Sequence, residues 1–141
     1  MECWADPSSE RQMPGTSHRD LQIWQRGVAL AAQCYQKTAA FPSDERFGLT
    51  NQIRRAACSV PANIAEGHGR FAPGDVRRFL DIANGSLTEL DTHFEIAQRV
   101  GILTPDSVTD VRTEIGELGR MIRAFKQRIP APKRSGRNGS R

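Results

Sequence analysis

The chain has 141 residues and a formal net charge of +4, the balance of 20 basic and 16 acidic residues. A chain of this length is most simply one domain. No apolar run approaches the roughly 20 residues that cross a bilayer, and the first residues lack the apolar stretch of a secretory signal. Three cysteines without a Cys-x-x-Cys pair indicate neither a disulfide framework nor a zinc site. We therefore expect a cytoplasmic protein with no membrane partner.

The excess of positive charge lies at the end of the chain. Residues 1–18 carry a net charge of −2, residues 19–129 a net charge of +2, and residues 130–141 a net charge of +4. The first segment combines prolines, serines and glycine without apolar periodicity, which predicts a disordered arm. The last is predicted to be a disordered basic tail. A basic chain therefore does not by itself make the domain at 19–129 a nucleic-acid binder.

The first predicted helix begins near Asp20 and ends at Phe41-Pro42, because a residue before proline leaves helical geometry. Its apolar residues repeat at steps of three and four, which predicts one buried face. That face is Leu21, Trp24, Val28, Ala31, Tyr35 and Thr38.

The second predicted helix runs from Asp44 to about Glu66, with Ser43 as its N-cap. Its apolar stripe is Leu49, Ile53, Ala56, Val60 and Ile64. Pro61 inside this stripe removes one helical hydrogen bond. Because the spacing continues through the proline without a phase change, a kinked helix is favoured over two shorter ones.

The third and fourth predicted helices carry the longest stripes. The third begins near Asp75 and stops at Gly101, and its stripe is Val76, Leu80, Ala83, Leu87, Leu90, Phe94 and Ala97. The fourth begins at Thr104-Pro105, a capping hydroxyl followed by proline, and its stripe is Val108, Val111, Ile115, Leu118, Ile122, Phe125 and Ile129. Four helices with short connections predict an all-α, antiparallel up-down four-helix bundle with a kinked second helix.

The predicted helices carry more apolar and small residues than one stripe each requires. The additional residues are Ile23, Leu30, Cys34, Ala57, Ala62, Ala65, Phe79, Ile82, Gly85, Ser86, Gly116 and Gly119. One interpretation is a wide core stripe. The other, which we adopt as a hypothesis, is that these second faces contact further copies of the chain in a homo-oligomer.

The sequence offers little for catalysis. Glu66-Gly67-His68 lacks the Glu-x-x-His spacing of bundle metal sites, and no nucleophile-elbow or phosphate-loop motif is present. We predict no metal, no cofactor and no enzymatic activity. An enzyme, with Glu66 or Glu89 in the reaction, is the third alternative.

Two other residue sets are candidates for function. The polar set lies at helical spacing on the second and third helices and comprises Ser59, Asn63, Glu66, Ser86 and Glu89. It is either a solvated face or a hydrogen-bonded seam between helices or subunits. The basic set comprises Arg46, Arg54, Arg55, Arg70, Arg77 and Arg78. It is either a solvated, ion-paired face or a surface for the RNA or DNA backbone, since guanidinium groups suit phosphate.

Two blocks of residues resemble a known family. The first comprises Phe41-Pro42, Glu45-Arg46-Phe47-Gly48-Leu49-Thr50, Gln52-Ile53-Arg54-Arg55-Ala56 and Ser59-Val60-Pro61-Ala62-Asn63-Ile64-Ala65-Glu66-Gly67-x-Gly69-Arg70. The second comprises Phe79-Leu80-x-Ile82-Ala83-x-Gly85-Ser86-Leu87-x-Glu89-Leu90. With Trp24 and Tyr35 they are similar to the bacterial four helix bundle protein family, also called the 23S rRNA intervening-sequence protein family. The resemblance covers about residues 20–129.

The resemblance implies a cytosolic bundle that assembles into a homopentamer and has no catalytic residues. It also implies a relation to the accessory protein of diversity-generating retroelements, a basic pentamer that binds nucleic acid. We therefore expect a non-enzymatic, homo-oligomeric scaffold or accessory protein whose arginines bind the RNA or DNA backbone without sequence specificity. The alternative is an oligomer that interacts only with proteins, since residues 19–129 are nearly neutral.

Overall fold

The computed structural model describes residues 17–131. Its four helices are α1 (Gln22–Thr38), α2 (Leu49–His68), α3 (Pro73–Arg99) and α4 (Pro105–Gln127), with short 3-10 turns at His18–Asp20 and Ser43–Glu45. Residues 17–131 contain no strand, so the predicted all-α class is confirmed. Apart from residues 17, 18, 130 and 131, the predicted arm and tail lie outside the described residues. None of the described helices is long and apolar enough to cross a membrane.

The four helices form a closed ring of antiparallel neighbours. Each helix packs against the next in the chain, α2 and α3 most extensively, and α4 closes the ring against α1. Among the described residues the diagonal pairs, α1 with α3 and α2 with α4, have no Cα atoms within 8 Å of each other, so these helices face one another across the core. A bidentate ion pair joins α1 to α4, with Arg26 Nε and Nη2 donating to Glu114 at 2.9 and 2.7 Å. The predicted up-down bundle is confirmed.

The buried face of α1 differs from the predicted one. Ile23, Leu30 and Cys34 are almost completely buried, whereas Val28 and Tyr35 are 40% and 45% exposed. The prediction that Val28 and Tyr35 lie in the core was wrong, because apolar residues repeat at helical spacing on both sides of α1. The buried side of α1 is the one on which α1 and α2 approach each other closely. A Cβ on Gly27 would lie 3.3 Å from the Pro61 Cβ, so α1 and α2 come together on the side that bears this glycine.

The second helix begins five residues later than predicted. Ser43–Glu45 forms a separate turn, and the backbone of Gly48, with φ −101° and ψ −118°, interrupts the helical path before Leu49. The Glu45 carboxylate then accepts a hydrogen bond from the Leu49 amide at 3.1 Å, which supplies a cap within the chain. The helix continues without a break through Pro61, and the kink at that position stays a prediction.

The predictions for α3 and α4 are confirmed in most details. Every residue of the α3 stripe is buried, and so is every residue of the α4 stripe except Phe125, which is partly buried against the core. Gly101 ends α3 with φ +82°, a conformation that glycine adopts without a Cβ penalty. Thr104 caps α4 by accepting a hydrogen bond from the Ser107 amide at 3.3 Å. The third helix begins at Pro73, two residues before the predicted start.

Candidate functional site

Three members of the polar set meet between α2 and α3. The Ser86 hydroxyl donates to Ser59 Oγ at 2.8 Å, and Asn63 Nδ2 donates to Ser59 Oγ at 2.9 Å and to the Ser59 carbonyl at 2.8 Å. Ser86 itself is buried. Because all three side chains bond in one network across the two helices, the network opposes sliding of α2 along α3.

The two carboxylates of the polar set lie elsewhere. Glu66 forms an ion pair with Arg70 one helical turn away, and Glu89 Oε1 lies 3.3 Å from His93 Nε2, also one turn away. Both glutamate side chains are more than half exposed. The structure therefore does not bring them together in a shared pocket. Within residues 17–131 no three His, Cys, Asp or Glu side chains are grouped so that they could bind a metal.

The six arginines of the basic set separate into two groups at opposite ends of the bundle. One group, near the end of α1 and the start of α2, is Arg46, Arg54 and Arg55. The other, near the end of α2 and the start of α3, is Arg70, Arg77 and Arg78. About 20 Å of helix separates Arg55 from the end of α2. A ligand that contacts both groups must therefore extend along the bundle.

Within the first group, Arg54 is held by its own chain. Its Nε donates to Thr38 Oγ1 at 2.9 Å, and its guanidinium lies 4.5 Å from the centre of the Tyr35 ring. Both contacts join α2 to the end of α1, so Arg54 stabilises the fold. Arg55 is exposed and makes no ion pair or hydrogen bond within the described residues. Arg46 lies over the ring of its neighbour Phe47, 5.2 Å from the ring centre.

Within the second group, Arg77 is also held by its own chain. Its Nη1 donates to the carbonyls of Lys126 and Ile129 at 3.0 and 2.9 Å, which satisfies backbone acceptors at the end of α4 and just after it. Arg70 and Arg78 are both exposed; Arg70 keeps its ion pair with Glu66, and Arg78 has no ion pair within the described residues. Their guanidinium groups lie 5.1 and 5.9 Å from the centre of the Phe79 ring.

Sequence reasoning missed two exposed aromatic side chains beside these arginines. Phe47 is 83% exposed and Phe71 is 90% exposed, and each directly follows an arginine in a connecting segment. The sequence signal that could have identified them is an Arg-Phe pair that lies outside any apolar periodicity. It occurs at Arg46-Phe47 and Arg70-Phe71, and Phe79 on α3 also follows an arginine.

A second surface feature is the outer face of α1, which we define as Val28, Ala32 and Tyr35. All three residues are exposed and uncharged. The face continues onto α2, where the Cys58 thiol donates to the Tyr35 hydroxyl at 4.0 Å, and this contact raises the pKa of Tyr35. Cys34, on the inner side of α1, is different: burial raises the pKa of its thiol to about 12. The outer face is therefore an apolar surface distinct from the core.

A shallow groove of about 270 Å³ lies between α3 and α4. Its lining includes Leu87, Gly116 and Gly119. Arg112 on the lining donates to Asp91 at 3.0 Å and to Glu95 at 2.7 Å. The pKa of Glu95 is lowered by two hydrogen bonds that its carboxylate accepts. The larger effect comes from Arg99 and the next from Arg112. These charges pair with each other, whereas Arg123, which also lines the groove, forms no ion pair within the described residues.

Comparisons with known proteins agree with this fold. The family model described as "23S rRNA-intervening sequence protein" matches residues 19–124. A crystal structure of a protein of unknown function from the S23 ribosomal protein family of Bacteroides thetaiotaomicron is similar, with a TM-score of 0.67 and 18% sequence identity over 74% of this chain and 98% of that one. No curated protein sequence matches the chain. The family model spans most of the bundle, and the chain belongs to the 23S rRNA-intervening sequence protein family.

Proposed function

We propose that the protein is a non-enzymatic subunit of a cytoplasmic homo-oligomeric scaffold, with five copies in the assembly that the family resemblance implies. The observation that carries the proposal is the outer face of α1. A surface helix of a globular domain normally has one apolar stripe. Here α1 has a buried stripe and, beside it, exposed Val28 and Tyr35. A second copy that covers this face would remove its apolar surface from water.

Glycines on the other helices support the same proposal. A Cβ on Gly85 of α3 would have no atom within 4 Å, and one on Gly116 of α4 would lie 3.9 Å from an arginine side chain. Packing within one chain therefore does not require either glycine, although each costs about 1 kcal/mol relative to alanine in a helix. Close approach of another subunit would explain why alanine is absent.

The test is the mass of the protein in solution. Multi-angle light scattering should give a multiple of the 15.7 kDa chain at micromolar concentration. Val28→Glu and Tyr35→Glu should reduce that mass, because each places a charge in the proposed contact. Gln22→Glu, at an exposed site at the start of the same helix and six residues before Val28, is the matched control and should leave the mass unchanged. A monomeric wild-type protein contradicts the proposal.

We propose nucleic-acid backbone binding as the activity of this scaffold. Arg55 and Arg78 support it, because both are exposed and neither forms an ion pair within the described residues. Phosphate contacts release counterions, so affinity for RNA or DNA should fall steeply as salt increases. Repetition of each arginine around an oligomer would strengthen a contact that is weak in one subunit.

A scaffold that binds only proteins is the second candidate. It is favoured by the bonds that hold Arg54 and Arg77 within the chain and by the net charge of only +2 over residues 19–129. Fluorescence anisotropy with structured RNA, single-stranded DNA and duplex DNA separates the two candidates. Binding that weakens with salt supports the first. No binding to any of the three at about 50 mM salt supports the second.

A further inference from the structure

The most exposed large apolar side chain of the described residues is Phe71, in the connection between α2 and α3. Its ring is 90% exposed and contacts no other ring or cation within residues 17–131. Phe47, the other strongly exposed phenylalanine, already has a guanidinium over its ring. Both faces of the Phe71 ring are therefore open to a flat partner from outside the chain.

Two arginines are held beside Phe71. Arg70 is its neighbour in the chain, and Arg78 lies one turn into α3. Both guanidinium groups rest near the ring of Phe79. Phe79 in turn packs over Gly67, since a Cβ on that glycine would lie 3.0 Å from the Phe79 Cβ. The close approach at Gly67 thus fixes the partly buried Phe79 ring, and this ring orients the Arg70 and Arg78 guanidinium groups at the end of the bundle where Phe71 is exposed.

The surrounding charge is also positive at this end of the bundle, which we call the Phe71 end and define as residues 66–81 and 126–131. These residues carry a net charge of +2. The charged members are Arg70, Arg77, Arg78, Lys126 and Arg128 against Glu66, Asp75 and Asp81. Arg77 donates to the carbonyl of Ile129 and so joins the segment after α4 to the start of α3. Around Phe47, residues 41–56 carry a net charge of +1, so what sets Phe71 apart is its uncovered ring and not the local charge alone.

We propose that the Phe71 end binds single-stranded nucleic acid, with phosphates at Arg70 and Arg78 and an unpaired base stacked on Phe71. Aromatic stacking combined with a positively charged surface is how proteins bind single strands without reading their sequence. A base inside a duplex is already stacked on its neighbours and cannot reach the ring. This inference rests on the proposed nucleic-acid binding and specifies its substrate class and its stacking residue.

The experiment uses the full-length protein and fluorescein-labelled oligouridine and oligothymidine of about 15 nucleotides, near the upper limit of single-strand site sizes. A hairpin duplex of RNA and one of DNA serve as competitors. Wild-type protein should bind the single strands more tightly than the duplexes. Phe71→Ala should weaken single-strand binding about 5- to 100-fold, the range that the loss of one stacked base produces. Phe71→Trp should restore it, whereas Phe71→Leu, which is apolar but not aromatic, should not.

Phe47→Ala is the matched control, because it removes a similarly exposed phenylalanine beside an arginine at the opposite end of the bundle, where a guanidinium already covers the ring. It should leave affinity for single strands unchanged. Arg78→Gln should lower affinity and reduce the slope of log affinity against log salt by about one. Substituting Phe71 should not affect folding, since the side chain packs against no other ring in the described residues.

The outcomes separate this inference from the proposed function. If Phe71→Ala binds single strands as tightly as wild type, or if duplexes bind as tightly as single strands, the inference is overturned while nucleic-acid binding stands. If Phe71→Ala changes the mass of the assembly and not the affinity per subunit, Phe71 belongs to a contact between copies and the inference is also overturned. If no nucleic acid binds the wild-type protein, both are overturned.

Discussion

Replacing Leu30 by alanine tests which side of α1 faces the core. Leu30 is 1% exposed, and the substitution removes the equivalent of three methylene groups from the core. At about 0.8 kcal/mol per methylene, the transfer term alone is about 2.4 kcal/mol. The cavity left among closely packed neighbours raises the expected loss in the free energy of unfolding to about 3 to 4 kcal/mol. For a chain of this size the melting temperature should then fall by about 10 °C or more.

Val28→Ala is the matched control on the opposite side. It removes two methylene equivalents from a side chain that is 40% exposed, for a transfer cost of about 1 kcal/mol. Alanine is the better helix former by about 0.5 kcal/mol, so the net loss should be about 0.5 kcal/mol. Urea unfolding followed by far-ultraviolet circular dichroism measures both variants. Runs at two protein concentrations identify any part of the Val28 effect that comes from assembly.

The result that refutes this reasoning is a loss below about 1 kcal/mol for Leu30→Ala, the range of ordinary surface substitutions. A larger loss for Val28→Ala than for Leu30→Ala at both concentrations would refute it as well. Either result would mean that α1 buries the side of Val28 and Tyr35, as the apolar spacing of its sequence predicted.

Three further predictions concern the termini of helices, the glycines and pH. Arg77→Met should lower the free energy of unfolding by about 2 kcal/mol and speed amide exchange over residues 125–129, because two carbonyls at the end of α4 lose a charged donor. Gly67→Ala should destabilise, since its Cβ would lie 3.0 Å from a side-chain carbon on α3, whereas Gly85→Ala has open space within its own chain and should stabilise the isolated subunit by about 0.5 to 1 kcal/mol. Urea unfolding of both variants, at a protein concentration where light scattering gives a monomeric mass, checks the sign. The hydrogen bond from Lys37 lowers the pKa of Asp110, so this carboxylate contributes stability above its unfolded pKa of about 3.9 and loses it as pH falls through the lower folded value. Asp110→Asn should therefore flatten the fall of melting temperature below about pH 4, and an unchanged profile contradicts it.

Much of the fold was predictable because α3 and α4 leave little choice. In each, one unbroken apolar stripe alternates with polar residues, so one orientation buries the stripe and the other exposes it. The residues that end α3 and begin α4 were also predictable from short segments. Gly101 acts through its own backbone conformation, and Thr104 acts through its own hydroxyl. The start of α2 was not predictable in the same way. The capping group there is the Glu45 carboxylate, and its role depends on the path that Gly48 gives the backbone.

The candidate sites were predicted as residue types but not as arrangements. Sequence spacing placed Ser59 and Asn63 on one helix face, but only the register of α2 against α3 brings Ser86 to Ser59. Six arginines within a short stretch suggested one surface. Helix geometry separates them into two ends, and intramolecular bonds hold Arg54 and Arg77.

The sequence by itself determined the helical class, the number of helices and the family, because apolar periodicity, caps and the motif around Pro61 are properties of short segments. Only the tertiary structure decided which side of α1 is buried. Both sides satisfy the helical period, and the closer approach of helices at Gly27 selects one of them. Only the tertiary structure also showed that Phe71 is left outside the core, in the connection between Arg70 and the start of α3. Exposure is a relation between one side chain and all the others, and it cannot be obtained from local spacing alone.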